Sequence, residues 1–141
     1  MFKKILVPLD GSKLAEKILP QVKELVKFSG AEVHLLKVVM SYEIDPKKDK
    51  EELEKLAGEA QEYLDQVAAR LKKKGIQASA TVAYGKDAVQ ICDYASGKKC
   101  NLIAMSTHGR SGLSRWALGG VADKVLQCSS VPVMLFRTTE S

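Results

Sequence analysis

Five short aliphatic runs, "FKKILVPL", "AEVHLLKVVM", "QASATVAY", "NLIAMS" and "VPVMLFR", alternate along the chain with segments whose apolar residues recur every three or four positions. This alternation constrains the fold more than any other feature. Successive parallel strands need crossover connections, usually helical and nearly always right-handed. A run as apolar at its centre as "AEVHLLKVVM" belongs to a strand covered on both faces. The order reads β-α-β-α-β-α-β-α-β, and the fold class is α/β: an open five-stranded parallel sheet with helices on both faces. With 141 residues, 45% of them hydrophobic, a single domain over residues 1–141 can bury its core without staples.

Punctuation residues set the expected boundaries. Pro8 closes the first strand, because proline cannot donate to a central ladder. Ser12 is placed to cap one helix carrying Leu14, Ile18, Val22, Leu25 and Val26 on a single face as far as Ser29 and Gly30. Pro20 lies beyond the first turn of that helix and is expected to kink it. "SYEIDPKKDK" reads as an exposed loop. The longest helix is expected from about Asp49 to Lys74, with Leu53, Leu56, Ala60, Leu64, Val67 and Leu71 at helical spacing and Gly75 beyond its end. "DAVQICDYAS" and "VADKVLQCS" supply the last two helices.

Composition narrows the function classes. The net charge of +5 comes from Lys and Arg mixed with Asp and Glu, as in "PKKDKEELEKLAGE". That is a solvated surface rather than a nucleic-acid stripe. Cys92, Cys100 and Cys128 are odd in number, lack metal-ligand spacing and stand in apolar surroundings; they read as buried reduced thiols, which suggests a reducing compartment. No apolar run approaches the roughly 20 residues of a membrane span, and "MFKKILVPLD" lacks the apolar core of a signal peptide. The expected location is cytoplasmic.

In an open parallel sheet the ligand crevice lies beyond the carboxyl ends of the strands, where the winding direction reverses. The loops to weigh are therefore "PLDGS" and "STHGRSGLSRWALGG". Asp10 has two readings of equal standing: an acceptor for a ribose or an amine, and turn chemistry in "DGS". The second loop concentrates Gly109, Gly112, Gly119 and Gly120 out of ten glycines in the chain. Glycines there let backbone N–H groups approach an anion, with the following helix adding its N-terminal dipole; the plainer reading is a strand-to-helix loop. Neither G-x-x-x-x-G-K-[ST] nor a G-x-G-x-x-G after the first strand occurs, which counts against a P-loop NTPase and an NAD enzyme.

Taken together, "ILVPLDGS", "LLKVV", "IAMSTHGRSGLSRWALGGVADKVL" and "VPVMLF" resemble the universal stress protein family over nearly the whole chain. The resemblance implies a Rossmann-like sheet of strand order 3-2-1-4-5 and two chains meeting along the fifth strand. The ATP-binding members share G-x-x-G-x(9)-G-[ST]; the aligned positions here are Ser106, Gly109, nine residues Arg110 to Leu118, then Gly119 and Gly120. Ser106 for the first glycine keeps a backbone N–H and adds a hydroxyl able to donate. Gly120 for Ser or Thr removes a hydroxyl that would reach a phosphate oxygen, a loss of roughly 1.5–3 kcal/mol at most.

Carried over by position, the resemblance implies ATP as ligand, with or without Mg or Mn. Pro8 and Val38 flank the adenine, Leu9 belongs to the same binding site, Asp10 holds the ribose and Met105 packs beneath. Ser106, Gly109, Gly119, Gly120 and Val121 form the phosphate cradle; Arg110 either adds charge on the phosphate side or is a solvated loop arginine, and His108 reads as a loop imidazole that braces the turn. No catalytic residue and no metal ligand is assigned. The implied homodimer uses Val131, Val133 and Leu135, and an aliphatic edge strand with few charges is an aggregation hazard unless paired. Three functions remain open: an ATP-binding dimeric stress-response regulatory module, a protein-interaction module without nucleotide, and a slow ATPase or autophosphorylating enzyme.

Overall fold

Strand β1 (Lys4–Pro8) carries Ile5, Leu6 and Val7, all three with no exposed surface, so both of its faces are covered, as a continuous aliphatic run requires. The computed structural model describes residues 2–39, 49–108 and 120–138. After β1 the chain forms α1 (Lys13–Glu16) and α2 (Leu19–Ser29), then β2 (Glu32–Val39) and the long α3 (Lys50–Lys73). It continues through β3 (Ala78–Tyr84), α4 (Asp87–Gly97), β4 (Leu102–His108), α5 (Val121–Cys128) and β5 (Val133–Thr138). The loop expected over "SYEIDPKKDK" falls almost wholly outside the described residues.

Two expectations are corrected here. The first helix is not kinked but divided. The Lys17 N–H closes α1 on the Leu14 carbonyl at 3.1 Å, and Pro20 stands in the first turn of α2. Having no N–H and a ring that crowds the carbonyl four residues back, proline ends one helix and starts the next more cheaply than it bends one. Ile18 is fully buried in the connecting turn, which is why the apolar period runs unbroken through the division. Gly30 stops α2 in the left-handed region at φ 69°, its N–H on the Val26 carbonyl at 2.8 Å.

The second correction concerns the thiols. Cys92 on α4 and Cys128 at the end of α5 form a disulfide with Cα atoms 6.3 Å apart. Packing of α4 against α5, where Ala88, Ile91 and Ala95 share a core with Ala122 and Val125, brings together residues 36 apart in sequence. Cys128 is exposed rather than buried. Cys100 alone stays a free, buried thiol, raised above its ordinary pKa by burial. The inference of a reducing compartment loses its ground.

All five strands are parallel in the order β3-β2-β1-β4-β5. The chain winds outward from β1 through β2 to β3, then returns to β4 on the other side of β1. Ile5, Val7, Val33 and Leu35 pack on one face against Ile18, Val22, Leu64, Val67 and Leu71 of the α1–α3 side. Leu6, Leu36, Ile103 and Met105 pack on the other against Ile91, Ala95 and Val125. α3 supplies Ala60, Leu64, Val67, Ala68 and Leu71 as its buried stripe, the spacing of one helix face.

Candidate functional site

The paired register of β1 and β4 ends at Leu6 and Ile103, and beyond it, where the winding reverses, a cavity of about 490 Å³ opens. Its floor and walls include Pro8, Leu9 and Asp10 after β1, Val38 on β2, Met105 and Ser106 on β4, and Gly120 and Val121 at the start of α5. Eight of the residues singled out from sequence are thus brought to one cleft. His108 ends β4, its backbone in register with Thr138. Gly109, Arg110 and Gly119 lie outside the described residues.

The Asp10 turn is built locally. Oδ1 of Asp10 accepts the Ser12 N–H at 2.8 Å, and Ser12 Oγ accepts the Ala15 N–H at 3.1 Å as the N-cap of α1. Between them Gly11 has φ 91°, a conformation that costs an L side chain strain. Lys37 Cε passes 3.9 Å from where a Gly11 Cβ would stand. The turn reading of Asp10 is therefore realised by one carboxylate oxygen, while Oδ2 has no partner among the described residues. The two readings are compatible.

Ser106 behaves otherwise than expected. Its hydroxyl donates to the Ala15 carbonyl of α1 at 3.2 Å, so its proton is committed to tying β4 to α1 and is not free for a phosphate. Gly120 is the N-cap of α5 with no side-chain cap bond, at φ −97° and ψ −135°, and a Cβ built on it meets nothing within 4 Å among the described residues. The described residues leave room there for a small side chain.

Sequence reasoning missed several lining residues: Leu14, Ala15, Leu36, Lys37, Asp87, Ile91, Thr107 and Ala122. Two carry charge. Lys37 is the one charged residue inside the aliphatic stretch Leu35–Val39 of β2, and a charge survives there only where the strand end is uncovered; that was the available signal. Asp87 begins α4, its Oδ1 accepting the Ala88 N–H at 2.7 Å, and like Asp10 it follows the carboxyl end of a strand. No group of three or more His, Cys, Asp or Glu side chains suited to a metal occurs among the described residues.

A second polar group supports the cleft from outside. Glu16 of α1 accepts the Tyr63 hydroxyl at 2.7 Å and an Arg70 N–H at 2.7 Å, both from α3. Burial would raise the Glu16 carboxyl, but the bonds from Arg70 and Tyr63 outweigh it and hold it below the ordinary range. Burial and the Glu16 charge push the Tyr63 hydroxyl well up. This bracing fixes α1, from which Leu14 and Ala15 face the cleft.

An open, doubly wound parallel sheet with a crevice at its switch point defines a broad class of α/β ligand-binding proteins. Within that class the family model described as the universal stress protein family matches residues 1–137, and the chain belongs to that family. Universal stress protein MJ0531 of Methanocaldococcus jannaschii is 32% identical over 141 residues, covering 97% of this chain and 83% of that protein. The solved structure of MJ0577 superposes with TM-score 0.87 at 30% identity, covering 100% of this chain and 99% of that one. A universal stress protein in complex with cAMP (TM-score 0.73, 17% identity, 98% of each chain) shares the fold. So does one from Archaeoglobus fulgidus in complex with dAMP (TM-score 0.68, 18% identity, 96% of this chain and 97% of that one).

Proposed function

We propose that this chain binds an adenine nucleotide, ATP first among them, at the β1–β4 crevice and acts as a dimeric stress-response regulatory module. One observation carries the reading: Asp10, whose Oδ2 has no partner among the described residues, and Gly120 and Val121 at the start of α5, which no described side chain caps, line one cavity of about 490 Å³, within the roughly 300–1,000 Å³ usual for small-molecule sites. A carboxylate suits ribose hydroxyls, and uncapped first-turn N–H groups suit phosphate oxygens. The cAMP and dAMP complexes of proteins sharing the fold lend support. In this reading the base lies against Pro8, Leu9 and Val38 above Met105, and the phosphates run toward Gly120, Val121 and the loop containing Gly109, Arg110 and Gly119.

Two features favour a second reading, an interaction module that has lost the nucleotide. Gly120 offers no hydroxyl, and Asp123 adds a negative charge to the first turn of α5. Calorimetric titration with ATP, with and without Mg or Mn, separates the two. Wild type is expected to bind below millimolar concentration. Asp10→Asn keeps an acceptor for the Ser12 N–H but loses the charge, and should weaken ATP roughly tenfold, about 1.4 kcal/mol. A folded wild type that takes up no ATP at millimolar concentration leaves the interaction module as the function.

A further inference from the structure

We infer that the Cys92–Cys128 disulfide is a thiol–disulfide switch on the α5 wall of the cleft, whose reduction loosens α5 and weakens the hold on a ligand there. The ligand half of this inference rests on the nucleotide reading above; the loosening of α5 does not.

The bond joins the two helices that wall one side of the cavity. α4 contributes Asp87 and Ile91, and Cys92 follows Ile91 directly; α5 contributes Val121 and Ala122, and Cys128 is its last residue. Among the described residues, α5 is held besides the disulfide by the buried Ala122 and Val125 and the half-buried Val121, all against one small core. A helix of eight residues has little stability of its own and depends on such anchors. Removing a covalent tie therefore acts on the wall that also presents the start of α5 to the cavity.

The chemistry is accessible at one end. Cys128 is exposed, Cys92 half-buried and the third cysteine, Cys100, 3% exposed. Access and thiolate character govern exchange, so Cys100 is the inert internal control. In reduction, one thiolate of a small dithiol attacks the Cys128 sulfur, and Cys92 leaves as a thiolate that takes up a proton. The second thiolate of the reagent then releases Cys128 and closes a cyclic disulfide. Two electrons and two protons pass to the protein; a small-molecule disulfide reverses the sequence. Both states are accommodated: Cys92 Sγ is 3.7 Å from the Val125 carbonyl oxygen and Cys128 Sγ 3.6 Å from that of Ala88, so each reduced thiol has a weak acceptor.

Hydrogen exchange across Val121–Cys128, followed with and without the dithiol, tests the loosening, and ATP titration in both states tests its consequence. Reduction should speed exchange in α5 roughly tenfold, as local opening requires, leave Ile5–Val7 unchanged, and weaken ATP roughly fivefold, at the low end of ordinary coupling. Cys128→Ser should match the reduced protein and ignore the dithiol, whereas Cys100→Ser should respond like wild type. The inference is overturned by unchanged α5 exchange on reduction, by a Cys128→Ser variant that still responds, or by equal ATP affinity in the two states. An α5 that loosens in a protein binding no ATP in either state sinks the nucleotide reading and leaves the switch standing.

Discussion

At the scale of single residues, the cleft is assembled from side chains that each do structural work as well. Asp10 gives one oxygen to its turn, the other having no partner among the described residues, and Ser106 gives its hydroxyl to α1. Glu16 shows how pH enters. Its folded pKa lies below the ordinary carboxyl value, so the stability it contributes is present above the unfolded pKa, near 4.5, and is lost as pH falls through the folded value. Thermal unfolding of wild type should therefore drop below about pH 4.5, and Glu16→Gln, already destabilised at neutral pH by about 1 kcal/mol, should flatten that part of the profile. A drop of equal steepness in the variant would assign the acid sensitivity elsewhere. Gly120 gives a prediction of the opposite sign. With no described atom within 4 Å of its Cβ position, Gly120→Ser should tighten ATP roughly tenfold through one added bond to a charged oxygen, with circular dichroism as the fold control. AMP should gain much less. ATP affinity equal to or below wild type would mean that Gly120 holds a conformation serine cannot adopt, or that no phosphate reaches this turn. What sequence could not tell at this scale is pairing through space: nothing near Cys92 or Cys128 announces that α4 and α5 run side by side.

Elements were the most legible level, for a physical reason. Strands covered on two faces must be continuous aliphatic runs, and crossover helices must be amphipathic, so both periods survive in sequence; β2, α3 and β4 all lie where their patterns put them. The failure at α1 and α2 has the same origin. Apolar spacing reports burial, and Ile18 is buried in a turn, so the period cannot distinguish a divided helix from a kinked one; Pro20, which suits the first turn of a helix and not its interior, is the residue that can. A strand pattern averages over its residues and so does not single out Lys37, whereas the cleft depends on which one lines it. The division makes a prediction. A proline in a helix interior costs about 3 kcal/mol, so if α1 and α2 were one kinked helix, Pro20→Ala should stabilise by that order. Because Pro20 stands in the first turn of α2, the substitution should instead be neutral or cost up to about 1 kcal/mol, through the freer unfolded chain. Denaturant midpoints at constant slope decide between the two.

For the whole molecule, the strand order leaves two edges, β3 and β5, and they are not equivalent. β3 carries the polar Ser79 and Thr81, whereas Val133, Met134, Leu135 and Phe136 of β5 are all apolar and only half-buried in the single chain. Val131, Val133 and Leu135 already rest against the α4–α5 core and Met134 and Phe136 against the other, so lysine at Val133 or Leu135 would damage the fold along with any interface. The dimer we propose is better probed through the backbone. The Ile103 N–H bonds to the Pro132 carbonyl at 2.9 Å, with Ile103 in register with Val133. In a parallel ladder this turns the N–H groups of Met134 and Phe136 toward β4 and those of Val133, Leu135 and Arg137 outward. Arg137 is exposed, so Arg137→Pro removes an outward donor at little cost within the chain, an edge being where a strand tolerates proline. Two-fold symmetry counts that loss twice. At about 1 kcal/mol for each bond, the dimer dissociation constant should rise roughly thirtyfold. Arg137→Ala, which keeps the N–H, should leave it unchanged. Sedimentation at micromolar concentration with circular dichroism as the fold control reads both variants; a wild type that sediments as a monomer, or an Arg137→Pro dimer as tight as wild type, removes β5 as the interface.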